Sequence, residues 1–236
     1  MKIACLGGGP AGLYFAISMK LRDASHDITV FERNRSDDTF GWGVVFSDET
    51  FDNIAANDPP SAATIRSHFA YWDDIAVHYR GQRVVSGGHG FIGIARKKLL
   101  MLLQERAREL GVKLAFQTEI ASATELAASY DLVVAADGLN SKTRSDLTAH
   151  FKPAVDLRKN KFVWLGTRQK FDDAFTFIFE ETEHGWIWAH AYQFDADTAT
   201  FIVECWPETW EKFGFGAMSQ DETCRTCELI FAKYLG

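Results

Sequence analysis

The chain has 236 residues, 47% of them hydrophobic and 24% charged, so it can bury a sizeable core as one large domain or as two associated lobes. A formal net charge of −7 and a pI near 5.5 argue against nucleic-acid or anionic-membrane partners and favour small-molecule chemistry. Four cysteines are too few for a disulfide framework, and no apolar run approaches the length of a membrane span. We therefore expect a cytoplasmic protein.

The first predicted elements are an apolar strand, Lys2 to Leu6, and a helix that opens within Gly7-Gly8-Gly9-Pro10-Ala11-Gly12. In this pattern the first glycine permits a tight turn, the second lets the backbone approach a pyrophosphate, and the third allows close helix–strand packing. The helix N-terminus directs free N–H groups toward the phosphates. A second strand ends at Glu32, where such sites place an acid on a ribose hydroxyl. We predict a dinucleotide site; the alternative is a glycine turn without a ligand.

A polar loop over residues 33–40 leads into an apolar segment, Gly41-Trp42-Gly43-Val44-Val45-Phe46. Glycines on both sides of a tryptophan allow the backbone to lie close against a flat ring system. The alternative is a loop packed into the core. Residues 75–90 then form short strands with glycine-rich turns, which predicts a β-insertion between units of a parallel sheet.

A helix is predicted over Lys97 to Leu110, with Arg96 at its start and Gly111 as its stop. Arg96 could reach a phosphate from that position, and the alternative is a solvated charge.

A further strand, Tyr130 to Ala135, is apolar enough to lie centrally in a parallel sheet. It runs into Asp137-Gly138, and an acid and a glycine at the carboxyl end of such a strand lie where open α/β sheets bind ligands. With Ser141 and Arg144 the segment fits a DGxxSxxR pattern. An ordinary Asp-Gly turn is the alternative.

Residues 151–213 read as antiparallel sheet, with strands over 161–167, 175–179, 185–192 and 199–205. Such aromatic strands could line a pocket for a planar substrate or pack on a neighbouring layer. His190 can titrate near neutral pH, so it is a candidate for contact with a substrate hydroxyl or amino group, with a core histidine as the alternative. The period of two predicts one face with Phe175, Phe177 and Phe179, and another face with Trp186, Trp188, His190 and Tyr192.

Metal-ligand groupings are absent from the sequence pattern, so we expect no metal site. Cys224 and Cys227 form a CxxC in a segment, 222–235, that is predicted to be helical. No second CxxC and no paired histidines lie nearby, which favours structural thiols.

The glycine turn with Glu32-Arg33, Arg96 at a helix start, and the segment Asp137 to Arg144 together resemble the FAD-dependent aromatic monooxygenases related to p-hydroxybenzoate hydroxylase. Within that family, Gly41 to Val45, Arg158 to Thr167 and Thr200 to Cys205 resemble a narrower group. This group includes the tryptophan hydroxylase of violacein synthesis and the flavin domains of salicylyl-CoA 5-hydroxylase and 2-aminobenzoyl-CoA monooxygenase/reductase. The resemblance covers essentially the whole chain.

The resemblance implies an α/β fold with a Rossmann-like, GR2-type FAD-binding lobe over 1–74 and 91–150, a β-insertion at 75–90, and an antiparallel-sheet substrate lobe over 151–236. The glycine turn would hold the FAD pyrophosphate, Glu32 the adenosine ribose, and Arg96 the ribityl-pyrophosphate region. The segment from Trp42 to Val45 would border the isoalloxazine. The implied cofactor-binding residues are Gly7, Gly9, Pro10, Ala11, Gly12, Glu32, Arg33, Trp42, Val44, Val45, Arg96, Asp137 and Gly138.

The implied reaction is hydroxylation of a small aromatic substrate with O2 and NADH or NADPH, through a flavin C4a-hydroperoxide. An aryl-CoA thioester such as salicylyl-CoA or 2-aminobenzoyl-CoA, a free aromatic acid and an indole are all compatible with the sequence. An FAD-dependent dehydrogenase or reductase and a non-catalytic flavin module are the alternatives.

One motif of the family is missing from the chain. The later Gly-Asp motif, which binds the ribityl chain, is not found after residue 160. We therefore expect an N-terminal fragment, truncated before that motif, of a protein that in the CoA-thioester members continues into a reductase-like domain.

Overall fold

The computed structural model describes residues 1–171 and 174–236. The strands are β1 (Lys2–Leu6), β2 (Asp27–Phe31), β3 (Gly43–Ser47), β4 (Ala70–Trp72), β5 (Asp74–Tyr79), β6 (Gln82–Ser86), β7 (Phe91–Ala95), β8 (Lys113–Ala115), β9 (Leu132–Ala135), β10 (Lys161–Thr167), β11 (Ala174–Thr182), β12 (Gly185–Gln193) and β13 (Ala199–Cys205). The helices are α1 (Pro10–Arg22), α2 (Asp48–Asn57), α3 (Pro59–Arg66), α4 (Arg96–Glu109), α5 (Ala123–Ala127), α6 (Lys142–Asp146), α7 (Thr148–Phe151), α8 (Pro207–Phe213), α9 (Gln220–Ile230) and α10 (Ala232–Leu235), with a 3-10 turn at Phe215–Ala217.

The chain divides into two compact units. Unit 1 contains residues 1–39, 53–67 and 97–156, and unit 2 contains residues 40–52, 68–96 and 157–236. The sequence predicts most of 40–52 and 68–96 within the cofactor lobe. In the structure they belong to unit 2, because their strands pair with one another and with the antiparallel sheet of that unit.

Unit 1 is built on a parallel sheet in the order β8-β2-β1-β9. Strand β1 lies between two neighbours and buries Ile3 to Leu6, and α1 packs its buried residues Leu13, Ala16 and Ile17 against the sheet. The predicted Rossmann-like α/β fold is therefore confirmed. The central position predicted for the strand ending at Ala135 is wrong, because β9 lies at the edge of this sheet and is only half-buried.

A buried ion pair joins two helices of unit 1. Asp58, which directly precedes α3, is 1% exposed, and its carboxylate accepts hydrogen bonds from Arg106 Nε (2.9 Å) and Nη2 (2.8 Å) on α4. The hydroxyl of Ser61 donates a third hydrogen bond to the same carboxylate, at 2.5 Å. These contacts hold α3 against α4 where an unpaired charge would be costly.

Unit 2 is organised around a six-stranded sheet in the order β10-β13-β12-β11-β5-β6, with β5 parallel to β11 and the other pairs antiparallel. One face of this sheet forms the main core of the unit with α8, the 3-10 turn, α9 and α10, through residues such as Ile178, Ala189, Val203, Phe215 and Phe231. The strands β3, β7 and β4 form a separate three-stranded sheet.

The prediction that the phenylalanines and tryptophans of β11 and β12 lie on different faces is wrong. In the antiparallel ladder Phe177 lies opposite His190 and Phe179 lies opposite Trp188, and side chains directly opposite each other project to the same side. The aromatic residues therefore share one face, which lies opposite the helix-packed core. We call this the aromatic face: Phe175, Phe177 and Phe179 of β11 with Trp186, Trp188, His190 and Tyr192 of β12.

Two local predictions also change. The apolar segment after Gly41 is not a loop throughout, since Gly43–Ser47 forms β3 and pairs with β7. The single helix predicted over 222–235 is two helices, α9 and α10, separated by Phe231. Phe231 is fully buried in the core beneath the sheet, so the chain turns there to insert the ring.

Candidate functional site

The turn after β1 and the turn after β9 lie in contact at the carboxyl edge of the parallel sheet. Gly7 has a φ of +105°, and a β-carbon on it would lie 2.2 Å from the carbonyl oxygen of Ala136. Its N–H donates to the carbonyl of Phe31 at 2.8 Å, which ties the same turn to the end of β2. Only glycine can occupy this position, because both the backbone angle and the close approach exclude a side chain.

The other two glycines of the motif have different roles. A β-carbon on Gly12, in the first turn of α1, would lie 2.1 Å from the carbonyl oxygen of Gly7, so Gly12 permits the close helix–strand packing that the motif predicts. Gly9 has an ordinary φ of −74°, and no atom of the described part of the chain lies within 4 Å of its β-carbon position. The space above Gly9 is therefore open, at the N-terminus of α1.

The carboxylate of Glu32 is anchored at both of its oxygens. Oε2 accepts a hydrogen bond from the N–H of Gly8, and Oε1 accepts one from the N–H of Asn34, each at 2.8 Å. Each carboxylate oxygen has a second lone pair, so Glu32 can still accept from hydroxyl groups of a ligand. The adjacent Arg33 is exposed. The structure thus brings together Gly7 to Gly12 and Glu32 as the sequence predicts.

The segment after β9 is a loop closed by its own side chains. Asp137 accepts hydrogen bonds from the hydroxyl of Ser141 (2.7 Å) and the N–H of Thr143 (3.1 Å). Burial acts to raise the pKa of Asp137, but these hydrogen bonds together hold it below its usual value. Arg144 donates to the carbonyl oxygen of Leu139. The DGxxSxxR residues therefore shape the loop, which presents Gly138 in the left-handed region at a φ of +84°.

Arg96 is the first residue of α4 and belongs to unit 2, whereas the rest of the helix belongs to unit 1. Its N–H donates to the carbonyl of Trp42 at 2.8 Å, while its side chain is half-buried and makes no ion pair within the described residues. The Nε atom of Arg96 is buried and has no hydrogen-bond partner among the residues that the structure describes. An unpaired, partly buried guanidinium is costly, so its position favours an anionic ligand over a purely structural role.

The segment around Trp42 is locked onto the six-stranded sheet. A β-carbon on Gly166 would lie 2.9 Å from the indole of Trp42, and one on Gly41 would lie 2.7 Å from the ring of Trp164, so each tryptophan covers a glycine of the other segment. The N–H of Gly43 donates to Thr200 Oγ1 at 3.1 Å, and its carbonyl accepts from the Tyr192 hydroxyl at 2.9 Å. This clamp fixes the backbone before Val44 and Val45, which lie in β3, and leaves Trp42 47% exposed.

His190 lies in the middle of the aromatic face. Its ring is 5.9 Å from that of Phe177 and 6.4 Å from that of Phe175, measured between centroids. The side chain is half-buried, and its Nε2 atom is buried with no hydrogen-bond partner among the described residues. Burial lowers the pKa of His190 below its usual value, against the opposing effect of the Glu204 carboxylate. The lowered pKa favours the neutral form of the ring.

Sequence reasoning did not single out Glu204, Trp188 and Asn160 as a polar group on the aromatic face. Glu204 accepts hydrogen bonds from Asn160 Nδ2 at 2.7 Å and from Trp188 Nε1 at 3.2 Å. The signal available in the sequence is the charge inside the apolar run Phe201-Ile202-Val203-Glu204-Cys205, since a carboxylate in such a strand needs partners. The partners themselves come from other strands.

The described residues contain neither a cluster of metal ligands nor a membrane-spanning helix. No three His, Cys, Asp or Glu side chains lie where they could hold a metal ion together. No helix within residues 1–171 and 174–236 has the length and apolar character needed to cross a membrane.

No family model matches the chain, but individual proteins do. The chain is 45% identical over 239 aligned positions to salicyloyl-CoA 5-hydroxylase of Streptomyces sp, which covers 98% of the chain and 46% of the relative. It is 33% identical to protodeoxyviolaceinate monooxygenase of Chromobacterium violaceum, over 100% of the chain and 63% of the relative. It is 32% identical to 3-hydroxy-4-methyl-anthranilyl-(aryl-carrier protein) 5-monooxygenase of Streptosporangium sibiricum, over 86% of the chain and 57% of the relative.

Solved structures share the fold at lower sequence identity. A structure of 2-methyl-3-hydroxypyridine-5-carboxylic acid oxygenase matches with a TM-score of 0.77 at 17% identity, covering 98% of the chain and 64% of that protein. PqsL from Pseudomonas aeruginosa, a probable FAD-dependent monooxygenase, matches with a TM-score of 0.69 at 16% identity, covering 97% of the chain and 66% of that protein.

These relatives come from the group of enzymes that the sequence motifs indicate, and the predicted resemblance is confirmed. The chain spans about half to two thirds of the length of the curated relatives it matches. By sequence, the chain therefore resembles, along nearly its whole length, part of the aromatic monooxygenases that include salicyloyl-CoA 5-hydroxylase.

Proposed function

We propose that the chain binds FAD and that the protein hydroxylates an aromatic substrate with O2 and NADH or NADPH. The observation that carries the proposal is the carboxyl edge of β1, where an open space above Gly9 lies at a helix N-terminus beside the anchored carboxylate of Glu32. This arrangement suits a pyrophosphate flanked by a ribose.

The residues of unit 1 fit the adenosine and pyrophosphate portion of FAD. Pro10 fills the first helical position, which needs no N–H donor, and the following N–H groups of Ala11 and Gly12 are free at the helix end, where they would donate to a phosphate. Glu32 would accept from the ribose hydroxyls, with the exposed Arg33 beside it. Asp137 and Gly138 would border FAD or the passing nicotinamide, with Asp137 acting through the loop that it shapes.

For unit 2 we propose separate contacts with the remainder of FAD. Arg96 would pair with the ribityl-pyrophosphate region through its unpartnered guanidinium. Trp42, Val44 and Val45 would border the isoalloxazine, held by the Gly43 clamp. When bound, FAD would supply the redox chemistry, and the chain's residues would hold and orient the reactants and exclude water.

The names of the relatives point to a substrate class. Two of them act on hydroxy- or amino-substituted aromatic acyl groups carried by CoA or by a carrier protein. We infer that this protein takes an aryl thioester such as salicylyl-CoA or 2-aminobenzoyl-CoA, and that a reductase-like domain accompanies the flavin portion. Its four cysteines are all free thiols, which supports a reducing cytoplasmic location.

The function can be tested with the complete protein. A yellow preparation that releases FAD on denaturation, aromatic-stimulated oxidation of NADH or NADPH, and incorporation of 18O from 18O2 into a hydroxylated product are the expected results. Oxidation that proceeds without oxygen and leaves the aromatic compound unhydroxylated would show a dehydrogenase or reductase instead.

Removing the Glu32 carboxylate should weaken both the turn and the cofactor site. We expect Glu32→Ala to lower the free energy of unfolding by about 1–3 kcal/mol, because two backbone N–H groups lose their acceptor. FAD affinity should fall about tenfold or more, measured by fluorescence titration. The control is Glu119→Ala, which removes an exposed carboxylate from the same unit and should change neither quantity.

Removing the unpaired cation of Arg96 should weaken FAD binding without lowering the stability of the fold. We expect Arg96→Leu to weaken FAD binding about tenfold while the unfolding temperature stays at or above that of the wild type, because no native ion pair is broken. Lys97→Leu removes the exposed neighbouring cation and should retain FAD. A drop in stability with unchanged FAD affinity would show that Arg96 is structural.

A further inference from the structure

The aromatic face is covered at one end and open at the other. At the covered end Tyr192 is 6% exposed, stacks on Trp72 at 6.1 Å and hydrogen-bonds to Gly43. Further along the strands Phe177, Trp188 and His190 remain half-buried. His190 therefore lies where the packed aromatic core ends, and the half-buried rings beyond it offer a surface for another planar ring.

Glu204 is the charged residue on this part of the face. The register places it directly opposite Trp188 on one side and Phe162 on the other, and diagonal to His190. Its carboxylate is held by two neutral donors, Asn160 and Trp188. Both of these partners are neutral, and no cation among the described residues forms an ion pair with Glu204, so no direct partner neutralises its charge.

The lysine of the neighbouring strand β10 does not offset the charge of Glu204. Lys161, which begins β10, lies opposite Cys205, and Cys205 is buried in the helix-packed core on the other face of the sheet. The residue of β10 that does border Glu204 is Phe162, which is 62% exposed. Around Trp188 and His190 a ligand would thus meet apolar rings, the imidazole of His190 and the fixed carboxylate of Glu204, while Arg80 lies farther along the face, over Trp186, and pairs with Glu181.

We propose that His190 and Glu204 form the subsite for the reacting ring, and that this subsite takes a ring bearing a hydroxyl or amino donor and rejects a free carboxylate. The inference rests on the proposed function and assigns two residues of that same site. A ring hydroxyl or amino group donates a hydrogen bond to the neutral imidazole, which has a nitrogen without a partner. An aryl carboxylate is repelled by Glu204, whereas a neutral acyl thioester or amide is not.

The subsite can be tested by ligand binding alone, at about pH 7, with small probes that carry no CoA. Salicylamide has a ring hydroxyl and no charge, salicylate adds a carboxylate, and benzamide lacks the hydroxyl. Isothermal titration calorimetry on the wild-type protein should show salicylamide binding about tenfold more tightly than either of the others. Equal binding of salicylamide and salicylate would overturn the proposal.

Two variants test whether Glu204 and His190 cause these differences in affinity between the probes. Glu204→Gln keeps the side-chain length and should bring the salicylamide-to-salicylate affinity ratio close to one. His190→Phe should bring the salicylamide-to-benzamide affinity ratio close to one. Its unfolding temperature should stay at or above that of the wild type, because the substitution removes a buried polar atom that has no partner among the described residues. Unchanged ratios in both variants would overturn the assignment.

Matched controls come from the same sheet and from the turn between β11 and β12. Glu180→Gln removes a carboxylate that contacts Tyr234 and Lys233 on the opposite face, and His184→Phe replaces an imidazole that packs on Phe213. Both should keep the wild-type affinity ratios. The binding measurements do not depend on turnover, so the subsite and the proposed function can fail separately. Affinity ratios that change in the two variants of a protein that does not hydroxylate would support the subsite and contradict the proposed function. Hydroxylation by a protein whose variants keep the wild-type ratios would contradict the subsite alone.

Discussion

Replacing Gly9 by valine is expected to lower FAD affinity by about 100-fold while lowering the free energy of unfolding by no more than about 1 kcal/mol, the cost of a poorer N-cap on α1. Gly9 has an ordinary backbone conformation and nothing within 4 Å of its β-carbon position, so the fold tolerates a side chain there. That side chain would occupy the open space at the N-terminus of α1, where the pyrophosphate is proposed to bind. Flavin content after purification and urea unfolding measure the two effects.

The adjacent motif glycine provides the contrast. In Gly12→Val the β-carbon would lie 2.1 Å from the Gly7 carbonyl oxygen, so this variant should lose stability together with FAD. The two glycines therefore separate a ligand effect from a packing effect within one turn. Full FAD retention by Gly9→Val would show that the pyrophosphate does not lie above this residue.

Asp58→Ala is expected to lower the free energy of unfolding by about 3 kcal/mol, because it leaves Arg106 largely buried without its main partner. The exposed pair between Arg35 and Asp37 is the control, and Asp37→Ala should cost less than about 0.5 kcal/mol. Urea unfolding followed by circular dichroism measures both. A cost for Asp58→Ala as small as that of the control would show that α3 and α4 do not depend on this pair.

The same carboxylate should contribute to acid sensitivity. Burial acts to raise the pKa of Asp58, but hydrogen bonds from Arg106 and Ser61 hold it below its usual value. A depressed pKa in the folded state means that the stabilisation is present above the ordinary value of about 4 and is lost as the pH falls through the lowered pKa. Asp58→Asn should therefore flatten the decline in stability below about pH 4.

Local sequence patterns predicted several elements with their roles. The glycine spacing, the apolar strand before it and the acid at the end of β2 predicted the carboxyl edge of the sheet, because each role depends on backbone geometry that glycine alone permits. Arg96 was placed correctly at the start of α4 by the apolar periodicity that follows it. The ligand contacts assigned to these residues remain predictions.

Patterns that depend on pairing between strands were harder to interpret. The period of two shows which residues of one strand share a face, but it does not show which faces of two strands coincide. Phe177 and His190 were predicted on different faces for this reason, and the register of β11 with β12 places them together. The same limit applied to residues 40–52 and 68–96, whose strands pair within unit 2.

The sequence by itself therefore determined the glycine turn, Glu32 beside it and the kinship with aromatic monooxygenases, since these depend on residue type at short spacing. Tertiary structure alone decided that the Asp137 carboxylate accepts hydrogen bonds within its own loop, that Tyr192 and Thr200 hydrogen-bond to Gly43, and that Glu204 lies diagonal to His190. Each of these contacts is set by strand register or by loop closure, and neither can be read from the identity of the residues.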